Sequence, residues 1–92
     1  RQVREAGFAA WRDYLLPRLD RAKMIDQDTG LPFSDETLEL LLQDMWTAIA
    51  SDGWSRNNPG GFRQGAKGNQ RAEHRVLHFN SADAWSEYAE AF

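Results

Sequence analysis

The sequence predicts a mainly α fold: two packed N-terminal helices, a long loop rich in glycine and arginine, one short strand, and a C-terminal amphipathic helix. Three observations carry this expectation. Apolar residues recur every three or four positions in three separate stretches, the mark of helices that bury one face. One stretch only, around 75–79, alternates with a period of two. Four of the seven glycines crowd into residues 54–70, where no hydrophobic period survives. The expected organisation is a helical hairpin over 1–53, a basic glycine-rich loop over 54–70, and a strand plus helix over 71–92. With 92 residues the chain makes at most one small domain of modest buried area, and its start at Arg1 and stop at Phe92 fit a piece of a longer polypeptide.

From Val3 to Ala22, two interleaved series, Val3, Gly7, Ala10, Tyr14 and Phe8, Trp11, Leu15, Leu19, Ala22, step by three or four. Pro17 interrupts them: its ring removes a helical hydrogen bond and pushes Leu16 away from the α region, so a kink or break is expected near Leu16. "DQDTGLPFSDE" then collects turn formers, with Gly30 free to take positive φ. Ser34 is a good N-cap, and Asp35 and Glu36 complement the dipole of a helix starting there. Leu38, Leu41, Leu42, Met45 and Ile49, widened by Trp46, form its apolar stripe, and Gly53 suits its C-terminal cap. The stripe should pack on Phe8, Trp11, Leu15 and Leu19, with Leu41, Met45, Trp46 and Ile49 as the main contacts.

The loop from Trp54 to Gln70 exceeds the ordinary length of a connection, which makes it an interaction loop or a linker. Arg75, Leu77 and Phe79 alternate with Val76 and His78 as one strand, whose partner would be a shorter strand hidden in the loop, a segment outside the chain, or another molecule. Ser81 caps a last helix bearing Ala82, Trp85, Tyr88, Ala89 and Phe92. An unpaired strand edge and a broad aromatic face are both costly in water, so Leu77, Phe79, Trp85, Tyr88 and Phe92 are expected to form one adhesive corner for a partner, with His74 and His78 at its rim. Trp54 and Phe62, large apolar groups in a polar loop, are expected as further anchors.

Hydrophobic residues at 41% and aromatics at 12% are too abundant for a disordered chain. The absence of cysteine excludes disulfides and thiolate metal sites, and no apolar run reaches the roughly 18 residues of a membrane span. The net charge of −3 is unevenly spread: Arg56, Arg63, Lys67, Arg71 and Arg75 against Glu73 alone leave 54–75 at +4, while six cations and thirteen anions leave the remainder at −7. These five cations are candidate contacts to phosphate or to an acidic surface, and the split argues against a domain that coats nucleic acid over its whole surface.

Glu73, His74 and His78 are the strongest candidates for chemistry. The metalloprotease helix needs glutamate directly after the first histidine, where Arg75 stands. On a strand the two histidines share a face but lie roughly 13 Å apart, too far for one ion, so no metal and no cofactor is expected. A metal-independent nuclease or toxin could use Glu73 and His74 as acid and base with Arg71 and Arg75 for phosphorane charge, which is the enzymatic alternative. Gly60, Gly61, Gly65 and Gly68 could wrap a phosphate, but their spacing is irregular and better suits a solvated loop. No catalytic residue is assigned.

Finally, "HRVLHFNSADAWSEYAEAF", taken with "DQDTGLPFSDETL" and "IASDGW", resembles a segment of large virion structural proteins of tailed bacteriophages, of the internal or ejection type. The resemblance covers roughly residues 24–92, and its most specific part is His74-Arg75, Phe79 and Ala82-Asp83-Ala84-Trp85 with Tyr88 and Phe92. It implies a non-enzymatic part of the particle, made in the host cytoplasm. Its expected partners are portal, tail or internal proteins and further copies of itself, with contact to packaged DNA. A looser similarity to portal-associated minor head proteins gives a second virion role.

Overall fold

The protein is mainly α. A computed structural model describes residues 3–52, 59–64, 70–72 and 77–92. After a 3-10 turn at Val3–Ala6, helix α1 spans Phe8–Leu15, α2 Asp35–Asp52 and α3 Ala82–Ala91. Two short antiparallel hairpins complete the fold: β1 Ile25–Asp26 with β2 Leu31–Pro32, and β3 Phe62–Gln64 with β4 Gln70–Ala72.

The long N-terminal helix suggested by the periodicity is divided at two points. Gly7, at φ 102°, separates the opening 3-10 turn from α1, a break the spacing of apolar residues does not reveal. Pro17 acts as expected: α1 ends at Leu15, and the chain tightens into a 3-10 turn at Leu16–Arg18 with proline at its start. Leu19 follows in an extended conformation, at φ −95° and ψ 149°, and forms an antiparallel bridge with Phe79. The Asp20 N–H donates to the His78 carbonyl at 2.8 Å, and the Asn80 N–H to the Arg18 carbonyl at 2.9 Å. The segment leading to Phe79 therefore pairs inside the chain, with the residues that Pro17 diverts from helix. Arg75 and Val76, the start of the expected strand, lie outside the described residues. Ala22, placed on the buried series by its spacing, is exposed.

The turn between β1 and β2 is held by local polar groups. Gly30 takes φ 72° and donates to the Asp26 carbonyl at 2.7 Å, while the Asp28 N–H is bound by Asp26 Oδ1 at 2.9 Å. Ser34 then caps α2, its Oγ accepting from the Thr37 N–H at 3.2 Å. The cap proposed for the other end, Gly53, lies outside the described residues.

Helices α1 and α2 run antiparallel, since Phe8 and Trp11 meet Trp46 at ring distances of 6.3 and 5.4 Å while Arg12, further along α1, reaches back to Glu39 at 3.1 Å. The buried stripe of α2 is Leu38, Leu42, Met45 and Ile49. Leu41 and Trp46 are half-buried at its border, so the helix is rotated slightly from the expected set of contacts. Ser81 caps α3 by accepting from the Ala84 N–H at 3.0 Å. Its buried face is Ala84, Trp85, Tyr88 and Phe92, and Ala82 stands outside it. The faces of all three helices join Met24, Phe62, Leu77 and Phe79 in one hydrophobic core.

Candidate functional site

The aromatic corner expected at a partner's interface is part of this core. Phe62, Leu77 and Tyr88 have no exposed surface, and Phe92, Phe79 and Trp85 retain 2%, 6% and 8%. Phe62 lies at the centre, its ring edge-on to Phe79 at 4.8 Å, Tyr88 at 5.4 Å and Trp85 at 6.3 Å. Edge-to-face geometry of this kind aligns ring quadrupoles favourably and adds to the burial of apolar area. The expectation that these six residues present an adhesive face is therefore corrected. Side chains so fully buried offer almost no surface to a partner: the aromatic face is covered by the chain's own core, and the described end of the segment, at His78–Asn80, pairs with Arg18–Asp20. Trp54, the other proposed anchor, lies outside the described residues.

Tyr88 joins the aromatic cluster to α1. Its hydroxyl accepts a hydrogen bond from Trp11 Nε1 at 2.9 Å, which satisfies the one polar atom of a fully buried indole. Burial pushes the Tyr88 phenol above its ordinary range, and the indole N–H opposes that shift in part. Against the same hydroxyl sits Gly60, at φ 59° within the buried 3-10 turn Pro59–Gly61. A Cβ at this position would run into the Tyr88 hydroxyl and come within 3.4 Å of the Phe92 ring. The glycine thus serves close approach of the backbone to a ring, rather than a phosphate cradle.

Three arginines that the sequence did not single out brace the surface over the core. Arg18 stacks on the Tyr14 ring with its guanidinium carbon 3.7 Å from the centroid, donates to the Tyr14 carbonyl at 2.7 Å, and lies 3.3 Å from Glu87 of α3. Tyr14 also donates through its hydroxyl to the Glu87 carbonyl at 3.2 Å. Arg21 clips the entry of α2, donating to the Phe33 carbonyl at 3.1 Å and to Asp35 at 2.9 Å. Arg12 bridges Asp13 and Glu39. The i, i+4 spacing of Tyr14 and Arg18 on a helical stretch was the one available signal for this bracing.

Of the cations proposed as phosphate or acidic-surface contacts, Arg56, Lys67 and Arg75 lie outside the described residues, as do Glu73 and His74 of the nuclease alternative. Arg63 and Arg71 occupy positions directly opposite one another in the β3–β4 hairpin. His78 is half-buried beside the bridge to Leu19. Among the described residues no three of His, Cys, Asp and Glu gather in a way that could hold a metal ion. A shallow depression of about 480 Å³ between the opening turn, α1 and the end of α3 is lined by Val3, Ala6, Ala10, Asp13, Tyr14 and Ala91, and its one carboxylate, Asp13, is already paired with Arg12. Among the described residues, the large apolar side chains left outside are Leu31 at 65%, Leu40 at 66% and Ile25 at 39% exposure.

Comparison of the chain with protein-family models, with curated proteins and with solved structures found no match. Among the described residues no helix is long and apolar enough to cross a membrane.

Proposed function

We propose that this chain is a structural component of a tailed-bacteriophage particle, of the internal or ejection type, acting by non-enzymatic contact with other virion proteins and with packaged DNA. The reading rests on the resemblance of residues 24–92 to such proteins. The observation that supports it is where the apolar members of the resembling set sit: Phe79, Ala84, Trp85, Tyr88 and Phe92 all belong to one buried core, while Ala82 and Asp83 are exposed and His74 and Arg75 lie outside the described residues. Residues shared for packing describe a folding unit, a module that a large particle protein can carry.

In this reading contacts with neighbouring subunits fall to groups outside the core, and Leu31 on β2 and Leu40 on α2 are the first candidates among the described residues. The test is quantitative mass spectrometry of purified particles, made with the natural protein and with one carrying both Leu31→Ser and Leu40→Ser. Recovery of the natural protein with portal, tail or internal proteins, reduced in the variant while its thermal unfolding is unchanged, is the expected result. A protein that remains in the lysate and does not accompany particles would overturn the virion role.

A further inference from the structure

We infer that the outer face of α2, along the row Glu36, Leu40 and Asp44, is a docking surface for a cationic amphipathic protein segment that sets an apolar side chain between two Lys or Arg. Leu40 lies nine positions before the buried Ile49, about two and a half helical turns, and so stands on the side of α2 turned away from the core. It is 66% exposed, the most of any large apolar side chain among the described residues. Glu36 and Asp44 flank it one turn before and one turn after, and both are exposed. Two neighbouring acids of the helix are already met by cations, Asp35 by Arg21 and Glu39 by Arg12. Glu36 and Asp44 have no such partner among the described residues.

The charges decide what can cover this face. From Met24 to Asp52 the chain holds seven acidic residues and no Lys, Arg or His, and Ile25, Leu31 and Leu40 all fall within that stretch. A nucleic-acid backbone or an anionic lipid surface is repelled there. A second copy cannot cover the row by symmetry: antiparallel pairing sets Glu36 against Asp44 of the second copy, and parallel pairing sets each acid against itself. One metal ion cannot hold both carboxylates, whose backbone positions stand roughly 12 Å apart along the helix. A protein segment with cations at the same spacing, eight positions apart on a helix, answers both charges and shields the leucine from water. Exposed ion pairs contribute little by themselves, so Leu40 supplies most of the affinity while the acids set the register and the sign of the partner.

This deepens the reading above, in which Leu40 contacts a neighbouring subunit, and rests on it for the existence of that contact. Its test uses the purified chain and a synthetic peptide, so its failure and the failure of the virion role are read separately. The probe is an alanine-based helical peptide of about twenty residues with a central Leu and a Lys four positions to either side, titrated into the chain and followed by amide shifts in NMR. Saturable shifts centred on α2 around Leu40 are expected. Leu40→Gln should weaken binding about tenfold, and Glu36→Gln or Asp44→Asn each about two- to fivefold at low salt, with the amide spectrum of the folded chain retained. A peptide with Glu in place of both Lys should fail to bind the natural chain and should bind one carrying Glu36→Lys and Asp44→Lys together. No saturable shift up to about 5 mM peptide, shifts centred away from α2, or equal affinity for a peptide whose Leu is replaced by Gln would each overturn the site. Self-association of the natural chain that is lost in Leu40→Gln would overturn it in favour of a second copy.

Discussion

The hydroxyl of Tyr88 has the indole N–H of Trp11 at 2.9 Å on one side and the bare Cα of Gly60 on the other. Tyr88→Phe removes the only acceptor seen for a buried donor and should cost about 1–3 kcal/mol in urea unfolding. Gly60→Ala should cost at least as much, since it adds a Cβ at positive φ against that hydroxyl. In the double variant the hydroxyl is gone and the methyl gains room, so the two losses should sum to less than their separate values, with a coupling of about 0.5–3 kcal/mol. The phenol also makes a pH prediction. Its folded-state pKa is raised by burial, so the neutral form is favoured in the native state, and stability is full below the unfolded value of about 10 and falls as pH rises above it. The unfolding free energy, compared with that of Tyr88→Phe, should decline by up to about 1.4 kcal/mol per pH unit above pH 10. A parallel decline in both proteins would count against a buried phenol. Trp11 and Tyr88 were both legible as members of buried stripes. Their partnership was not, because it joins residues 77 positions apart. Nor was the role of Gly60, since a glycine chosen for close approach looks the same in sequence as one chosen for a loop.

At the scale of elements, α2 shows how far periodicity reaches. Leu40, Leu41 and Leu42 are consecutive, so spacing alone leaves the exact rotation of the stripe open, and the fold buries Leu42, half-buries Leu41 and exposes Leu40. Alanine substitutions should follow that order: about 2–5 kcal/mol for Leu42, less for Leu41, and within about 0.5 kcal/mol for Leu40. Equal losses at Leu41 and Leu42 would indicate a different rotation. The caps at Ser34 and Ser81 and the break at Pro17 depend on residues within one turn, which is why they could be read directly. Ser81→Ala should lower stability by about 1 kcal/mol, measured by thermal unfolding. The pairing of Phe79 depends instead on Leu19, far away in sequence and extended only because α1 stops early. The β3–β4 hairpin is local, but its strands are three residues each and carry no hydrophobic alternation, so in sequence the whole stretch reads as one basic loop.

For the whole molecule, the main correction to the sequence reading is where the aromatic surface goes. The periodicities identified the residues of a buried face and left open what buries it; the fold answers with its own helices, the bridge from Leu19 and the turn at Gly60. The apolar corner therefore belongs to the core, while the proposed virion role rests on the resemblance and is tested by the particle experiment. A domain of 92 residues buries a modest share of its surface, so a core closed within one chain is the demanding claim. Hydrogen exchange of the Trp11 indole N–H, followed by NMR in a dilute sample shown to be monomeric by sedimentation, tests it most directly. The account predicts that this proton exchanges only through global unfolding, as slowly as the most protected backbone amides of α2. Exchange at the rate of a free indole in the monomer, slowed only when chains associate or a partner is added, would contradict it and return the aromatic corner to the role of a joint.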